Sequence, residues 1–408
     1  MRQTTSYVIV GGGLAASRAA FALRRSGFDG SLSLISAEPY LPYDRPPLSK
    51  KVLTSEADPK STSLSDAASY AAQEIELFLG VGASAIDRHA RQIRLTNGDT
   101  LRYDKVLLAT GSRARHLAIP GSELEGIHYL RSLDDCIALK TALRPGLSVA
   151  IIGGGYVGLE VAASARRIGC SVTVLENQSV VMSRVAQPKV GRWFQRLHRS
   201  RGTIVRTKAH VEAICGHNGQ ATHVRLADGE HIAADVVIIG VGSIANTTLA
   251  VEAGLSVGDG VLVDDQGLTS DPNIFAAGDV ACHLFKSPGR PLRLESWQNA
   301  QTQGIVAAGA MCGEDVHYTE IPWFWSDQYD VNLQMLGLPT VWDAVIYRRY
   351  AEHSLSLVYV KNQRIVGANA INAARDVAVL RRLMQRDLPV DVAPLGDPAY
   401  PLRQLLVA

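Results

Sequence analysis

"AIIGGGYVGLEVAASARRIG" at residues 150–169 repeats, in pattern, "YVIVGGGLAASRAAFALRRSG" at residues 7–27. In each copy an apolar run meets three consecutive glycines. An alanine-rich stretch with helical spacing follows and ends near a pair of arginines. A lone glycine-rich turn carries little information, so the flanking segments decide what it means. In the first copy the pattern predicts a strand over Tyr7–Val10, a turn through Gly11, Gly13 and Ala16, and a helix to about Arg25 closed by Gly27. "SLSLISAE" then supplies a second strand ending at Glu38. In the second copy the strand is Ser148–Ile152 and the turn runs through Gly153, Gly155 and Gly158. A helix continues to about Ile168, and the strand "SVTVLE" ends at Glu176. Both copies are complete strand–helix–strand units with an acid closing the second strand.

The glycine positions have separate physical tasks. The first permits a tight turn, the second lets backbone approach a pyrophosphate, and the third must be small for helix and strand to pack. Unpaired N–H groups and the helix dipole then receive the anion. Glu38 and Glu176 stand where a ribose would offer its hydroxyls. An acid there disfavours a 2′-phosphate, so the second unit is expected to prefer NADH. Two fingerprints imply two dinucleotides. "YDKVLLATGS" (103–112) reads as a buried strand ending in a glycine turn. "TSDPNIFAAGDV" (269–280) reads as a strand followed by Gly278, Asp279 and a helical pattern. Asp279 there fits either a helix cap or a ligand for sugar-like hydroxyls. Taken with the first fingerprint, it suggests a flavin dinucleotide spanning two segments of one domain.

Composition narrows the class. A chain of 408 residues predicts two or three domains. With 47% hydrophobic and 20% charged residues it has the make-up of a soluble globular protein. A net charge of +2 gives no reason to expect nucleic-acid binding. The apolar runs are strand-length, so no membrane span is expected. "MRQTTSYVIVGGG" passes almost directly into the first strand, which argues against a secretory leader and for the cytoplasm. The five cysteines are scattered, without CxxC or metal-ligand spacing. They are expected to be small core residues in a reducing compartment, and no metal is expected.

The order of landmarks carries a family resemblance: "GGGLAAS", "PYDRPPLSK", "LLATGS", "YLRSLDD", "GGGYVGLE", "FAAGDV", "ESWQNA" and "PWFWSDQYD". The chain resembles the flavoprotein ferredoxin reductases of bacterial oxygenase systems, the putidaredoxin reductase and biphenyl dioxygenase ferredoxin reductase type, within the glutathione reductase superfamily. The resemblance implies an α/β fold of two Rossmann-like, glutathione reductase-like dinucleotide-binding domains plus a small α+β C-terminal domain. It implies an FAD domain over 1–112 and 243–318, an NADH domain over 113–242 and a C-terminal domain over 319–408. For FAD it implies Gly11, Gly13, Leu14 and Ala15 at the pyrophosphate and Ala83 at the adenine. Arg45, Lys50, Ala109, Arg131, Asp279, Trp297 and Trp325 are implied as further FAD contacts. The family's usual ribose Asp is replaced here by Ala37, so Glu38 takes that role. For NADH it implies Gly153, Gly155, Tyr156, Val157, Glu160, Glu176, Arg184 and Gly242.

The same resemblance pairs Lys50 with Glu160 as the catalytic residues, with Lys50 directed at flavin N5. The residues themselves raise the question, since a carboxylate on an Ala/Val-rich helix is costly unless paired. "YDRPPLSKKVL" (43–53), where disulfide reductases of the superfamily carry a redox pair, holds no cysteine. Electrons are therefore expected to leave without passing through sulfur. In "PWFWSDQYD" (322–330), Trp323 and Phe324 are expected in the core and Trp325 on the flavin. Asp327 and Gln328 are expected only to orient a turn. "LSLVYVKNQRIVGANAIN" (355–372) reads as a hairpin turning at 361–363, and "ARDVAVLRRLMQRD" (374–387) as an amphipathic helix. The activity implied is hydride transfer from NADH to FAD, then single-electron transfer to a [2Fe–2S] ferredoxin that supplies a haem-thiolate monooxygenase or Rieske dioxygenase. Arg113, Arg115, Arg293, Arg348 and Arg349 are candidates for steering an acidic ferredoxin, or plain solvated charges. A rubredoxin reductase and an apoptosis-inducing-factor-like flavoprotein are the alternatives.

Overall fold

The computed structural model describes residues 5–285 and 289–406. Its first sheet is five-stranded and wholly parallel. Ser6–Val10 lies at the centre, Ser31–Ser36 and then Ile75–Leu79 on one side, Lys105–Leu108 and then Ile274–Ala276 on the other. The second sheet repeats the plan around Ser148–Ile152. Ser171–Glu176 and Ile204–Thr207 flank it on one side, Val236–Ile239 and Ile127–His128 on the other. Continuous apolar runs such as Val8-Ile9-Val10 and Val149-Ala150-Ile151 are buried, as expected for parallel strands covered on both faces. The outer strand of the first sheet comes from residues 274–276, after the whole second unit. The two connections between the units, Ser112–Ala114 and Ser243–Ala245, pair with each other antiparallel.

Small residues set the packing distances. A Cβ on Gly158 would fall 2.2 Å from the Gly153 carbonyl oxygen. Ala16 holds the equivalent place in the first unit and is fully buried. The helix Leu14–Arg25 buries a row of alanines against the helix Trp297–Met311. A Cβ on Gly304 would come 2.4 Å from Ala15 O, so the two helices touch backbone to backbone.

A third sheet, antiparallel, follows the order Trp323–Gln328, Val331–Leu336, Arg364–Ile371, Ser354–Lys361, Ala344–Ala351. Asn362 and Gln363, both at positive φ, make its two-residue turn, and the helix Ala374–Arg386 covers one face. This is the small α+β unit expected from the sequence. No described helix is long and apolar enough to cross a membrane.

Five expectations need correction. The second strand ends at Ser36, so Ala37 and Glu38 lie just past it rather than in it. After Gly278 and Asp279 there is one 3-10 turn, Gly278–Val280, and then the strand Ala281–Phe285, not a helix. The segment holding Asp327 and Gln328 is a strand rather than a turn. Arg348 is buried and cannot steer a partner. It donates to the carbonyls of Pro394 at 3.3 Å and Tyr400 at 2.7 Å, tying down the last segment of the chain. The Arg293 side chain is only 8% exposed and is already paired with Glu295.

Candidate active site

A cavity of about 1150 Å³ runs between the two nucleotide units and the third sheet. Every residue named above for either nucleotide lines it, from Gly11 and Glu38 at one end to Glu176, Arg184 and Gly242 at the other. Drug-sized ligand pockets usually fall at about 300–1,000 Å³, so this space is large enough for a dinucleotide-sized molecule.

The glycine turns meet the cavity in the same way. Gly11, with φ +136°, presses against Ala109, just past the strand Lys105–Leu108, where a Cβ would lie 2.1 Å from the carbonyl oxygen. Gly153, with φ +107°, presses likewise on Gly240. Gly13 and Gly155 are the N-caps of their helices and carry no capping side chain. Nothing lies within 4 Å of a Cβ built on either. Each helix thus offers its first N–H groups to open space, the arrangement that receives a phosphate.

The acids beyond the strands are held in place. Glu176 accepts from the Gly154 and Gln178 N–H groups, both at 2.8 Å. Glu38 pairs with Arg45 Nη2 at 2.7 Å and accepts from the Tyr43 hydroxyl at 2.5 Å. Arg45 also donates to the Arg131 carbonyl at 2.6 Å, and Arg131 Nη2 reaches Asp279 Oδ2 at 2.7 Å. Glu38, Arg45, Arg131 and Asp279 therefore form one linked row along the cavity. Tyr43, which nothing in the sequence singled out, sits at its hinge and accepts from Leu133 N at 2.9 Å. Burial pushes its phenol well above the ordinary value. An open N–H cradle, an acid just past the second strand and two guanidinium groups, Arg45 and Arg131, thus line one end of the cavity, a set that fits a dinucleotide.

Between the two ends, Lys50 Nζ lies 3.1 Å from Glu160 Oε1. Glu160 is buried, and burial pushes its carboxyl up while Lys50 and two seryl hydroxyls pull it back. Those are Ser49 Oγ on Oε2 and Ser326 Oγ on Oε1, each at 2.6 Å. Two separate segments, residues 49–50 and the strand Trp323–Gln328, converge on one carboxylate. The helix Tyr156–Ile168 does this with a single stripe: Tyr156 packs on Phe324 at 4.3 Å between ring centres, Glu160 takes Ser49 and Ser326, and Ser164 donates to the Ser49 carbonyl. That spacing of four puts all three on one helix face.

The strand Trp323–Gln328 alternates two faces. Phe324, Ser326 and Gln328 turn to the second unit, where Gln328 Oε1 meets His198 Nε2 at 2.9 Å. On the other face Trp323 and Trp325 stack at 5.0 Å, and Trp325 meets Trp297 edge-on at 6.2 Å. Trp297 is anchored by donation to Asp44 Oδ1. Lys50 Nζ stands 5.9 Å from the Trp325 ring centre. None of the five cysteines lines the cavity, and all are free thiols. Among the described residues no cluster of three or more metal-ligating side chains occurs.

The family model for pyridine nucleotide-disulphide oxidoreductases matches residues 5–304, and one for a reductase C-terminal region matches 323–406. The chain belongs to the pyridine nucleotide-disulphide oxidoreductase family. Within that family it is 42% identical over 402 residues to the ferredoxin–NAD(+) reductase component of the anthranilate 1,2-dioxygenase system of Burkholderia cepacia, covering 98% of this chain and 99% of that one. It is 38% identical over 405 residues to the corresponding biphenyl dioxygenase component of Paraburkholderia xenovorans, covering 99% and 98%. The reductase in a solved covalent putidaredoxin reductase–putidaredoxin complex matches with a TM-score of 0.95 at 36% identity, covering 99% of this chain and 98% of that one. This oxidoreductase keeps its family's two nucleotide units, and no cysteine lines the cavity between them.

Proposed function

We propose that the chain is an NADH-dependent ferredoxin reductase, working with FAD and passing electrons to a [2Fe–2S] ferredoxin that serves an oxygenase. The observation that carries this is the single cavity joining two glycine turns, with the Lys50–Glu160 pair between them and no cysteine on its walls. When bound, the flavin supplies the redox chemistry, taking a hydride ion and releasing electrons singly. The turnover balances as NADH plus two oxidised ferredoxins giving NAD⁺, two reduced ferredoxins and one proton.

The protein's own part is placement and charge. Gly11, Gly13, Leu14 and Ala15, with Glu38, Arg45, Arg131 and Asp279, hold FAD; Gly153, Gly155 and Glu176, with Arg184, hold NADH. Glu160 keeps the Lys50 ammonium fixed and charged at the cavity wall, where a cation favours arriving negative charge. Trp297 and Trp325 wall off the side away from the second unit and exclude water there. The chain divides, on this reading, into an FAD domain (1–112 and 243–318), an NADH domain (113–242) and a C-terminal domain (319–408). Five free thiols and the absence of a membrane-length helix among the described residues fit a cytoplasmic protein. Exposed Arg113, Arg115 and Arg349 remain available to an acidic carrier.

The test is reconstitution. Purified protein should be yellow and should reduce cytochrome c with NADH only when a [2Fe–2S] ferredoxin is added. A colourless protein, or reduction that requires rubredoxin instead, overturns the assignment.

A further inference from the structure

A second carboxylate reaches Lys50, and the chemistry above makes no use of it. Lys50 Nζ lies 3.5 Å from Asp327 Oδ2 as well as 3.1 Å from Glu160 Oε1. One ammonium is shared by two carboxylates that differ in setting. Glu160 is buried and locked by two serines. The Asp327 side chain is 45% exposed and stands outside the cavity lining.

Asp327 is nevertheless held firmly. Asn332 Nδ2 donates to its Oδ1 at 2.7 Å, Gln334 Nε2 donates to Asn332 Oδ1 at 3.0 Å, and Trp323 Nε1 donates to Gln334 Oε1 at 3.1 Å. Every donor in this row points the same way, from indole to carboxylate. The last oxygen left over is the one facing Lys50. Such a row is built to aim an anion, since a solvated aspartate on an antiparallel strand needs no such support.

We propose that Asp327 is a positioning residue for the reduction chemistry: it draws the Lys50 ammonium partly away from Glu160, offsets its charge, and keeps the bound flavin harder to reduce than Glu160 alone would. This rests on the reading that the cavity holds a flavin. Less positive charge at the wall weakens stabilisation of the reduced state and so favours release of electrons to a carrier.

Asp327→Asn keeps the size and the contact with Asn332 while removing the charge. In the flavin-loaded protein, a spectroelectrochemical titration should show the equilibrium constant for two-electron reduction rising about tenfold, an upward shift of about 30 mV. Because Asp327 acts through Lys50, the same substitution made in a Lys50→Met background should shift the potential by less than about half as much. Equal potentials for wild type and Asp327→Asn overturn the proposal, as does an undiminished shift in the Lys50→Met background. A chain that binds no flavin sinks both this proposal and the functional reading beneath it. A yellow Asp327→Asn protein with an unmoved potential sinks this one alone.

Discussion

Lys50 Nζ and Glu160 Oε1 meet at 3.1 Å across the seam between the two nucleotide units. Removing one partner of a buried pair leaves the other uncompensated, at a cost of about 3–5 kcal/mol. Lys50→Met should therefore slow flavin reduction by NADH at least about tenfold, measured by stopped flow, and should also destabilise the fold. The pH dependence has a definite sign. Glu160 already titrates above its ordinary value, so the folded state binds its proton more tightly than the unfolded state. Stability is then lost as pH rises above the ordinary carboxylate range, and more steeply in Lys50→Met. The double variant Lys50→Met/Glu160→Gln should recover stability without recovering rate. Recovery of both would show that the lysine serves only the fold.

Gly155 offers a way to separate the two nucleotides. Its φ of −77° suits any residue, and an added Cβ meets nothing within 4 Å. Gly155→Ala should fold normally and keep its yellow colour, yet raise the KM for NADH about tenfold or more by filling the phosphate cradle. Gly13→Ala should instead lower flavin content. By contrast, Gly153→Ala places a Cβ 2.4 Å from Gly240 O at φ +107° and should impair folding itself. Unchanged NADH saturation in Gly155→Ala would remove the second unit from the NADH site.

What could be read in advance divides along a physical line. The glycine turns were legible because their demands are local: Gly11 and Gly153 need positive φ, and Gly158 needs to lack a Cβ. The Lys50–Glu160 pair came from family resemblance alone, because no spacing within "RPPLSKK" says what will face the lysine. Ser49, Ser326 and Tyr43 were missed for the same reason, since their partners arrive from distant segments. Asp327 reads as part of a turn because "WFWSDQ" is three aromatics followed by three polar residues, with no period-two hydropathy to announce the strand that forms there. Arg348 looked like a surface charge because the carbonyls that bury it belong to residues 394–400.

The thiols supply a third test. Cys136 donates to the Leu48 carbonyl behind the Lys50 loop, and burial pushes its thiol up to about 11. A thiol so protonated is a poor nucleophile. Cys215 and Cys312, the two partly exposed thiols, lie away from the cavity. Alkylation with iodoacetamide under native conditions should label these two and leave NADH-dependent ferredoxin reduction unchanged. Loss of turnover in step with labelling would reinstate sulfur in the electron path.

His198 carries the last prediction. It is fully buried, its Nε2 meets Gln328 Oε1, and burial pushes its imidazole down to about 4. In the unfolded chain it would take a proton near its usual pH of about 6.5. Between those two values the unfolded state binds one proton more than the folded state, so stability falls as pH drops from about 6.5 to about 4. The loss from this one residue approaches about 3 kcal/mol, at up to about 1.4 kcal/mol per pH unit. His198→Asn removes the titration. Denaturant unfolding of the holoprotein at about pH 7, 6 and 5 should show the variant less stable than wild type at neutrality. The gap should then narrow toward pH 5, because wild type alone pays the protonation cost. Parallel curves would mean that His198 is protonated or solvated in the folded protein, and the buried chain in which Gln328 Nε2 donates to Ser326 Oγ at 3.1 Å and Ser326 Oγ donates to Glu160 would have to be redrawn.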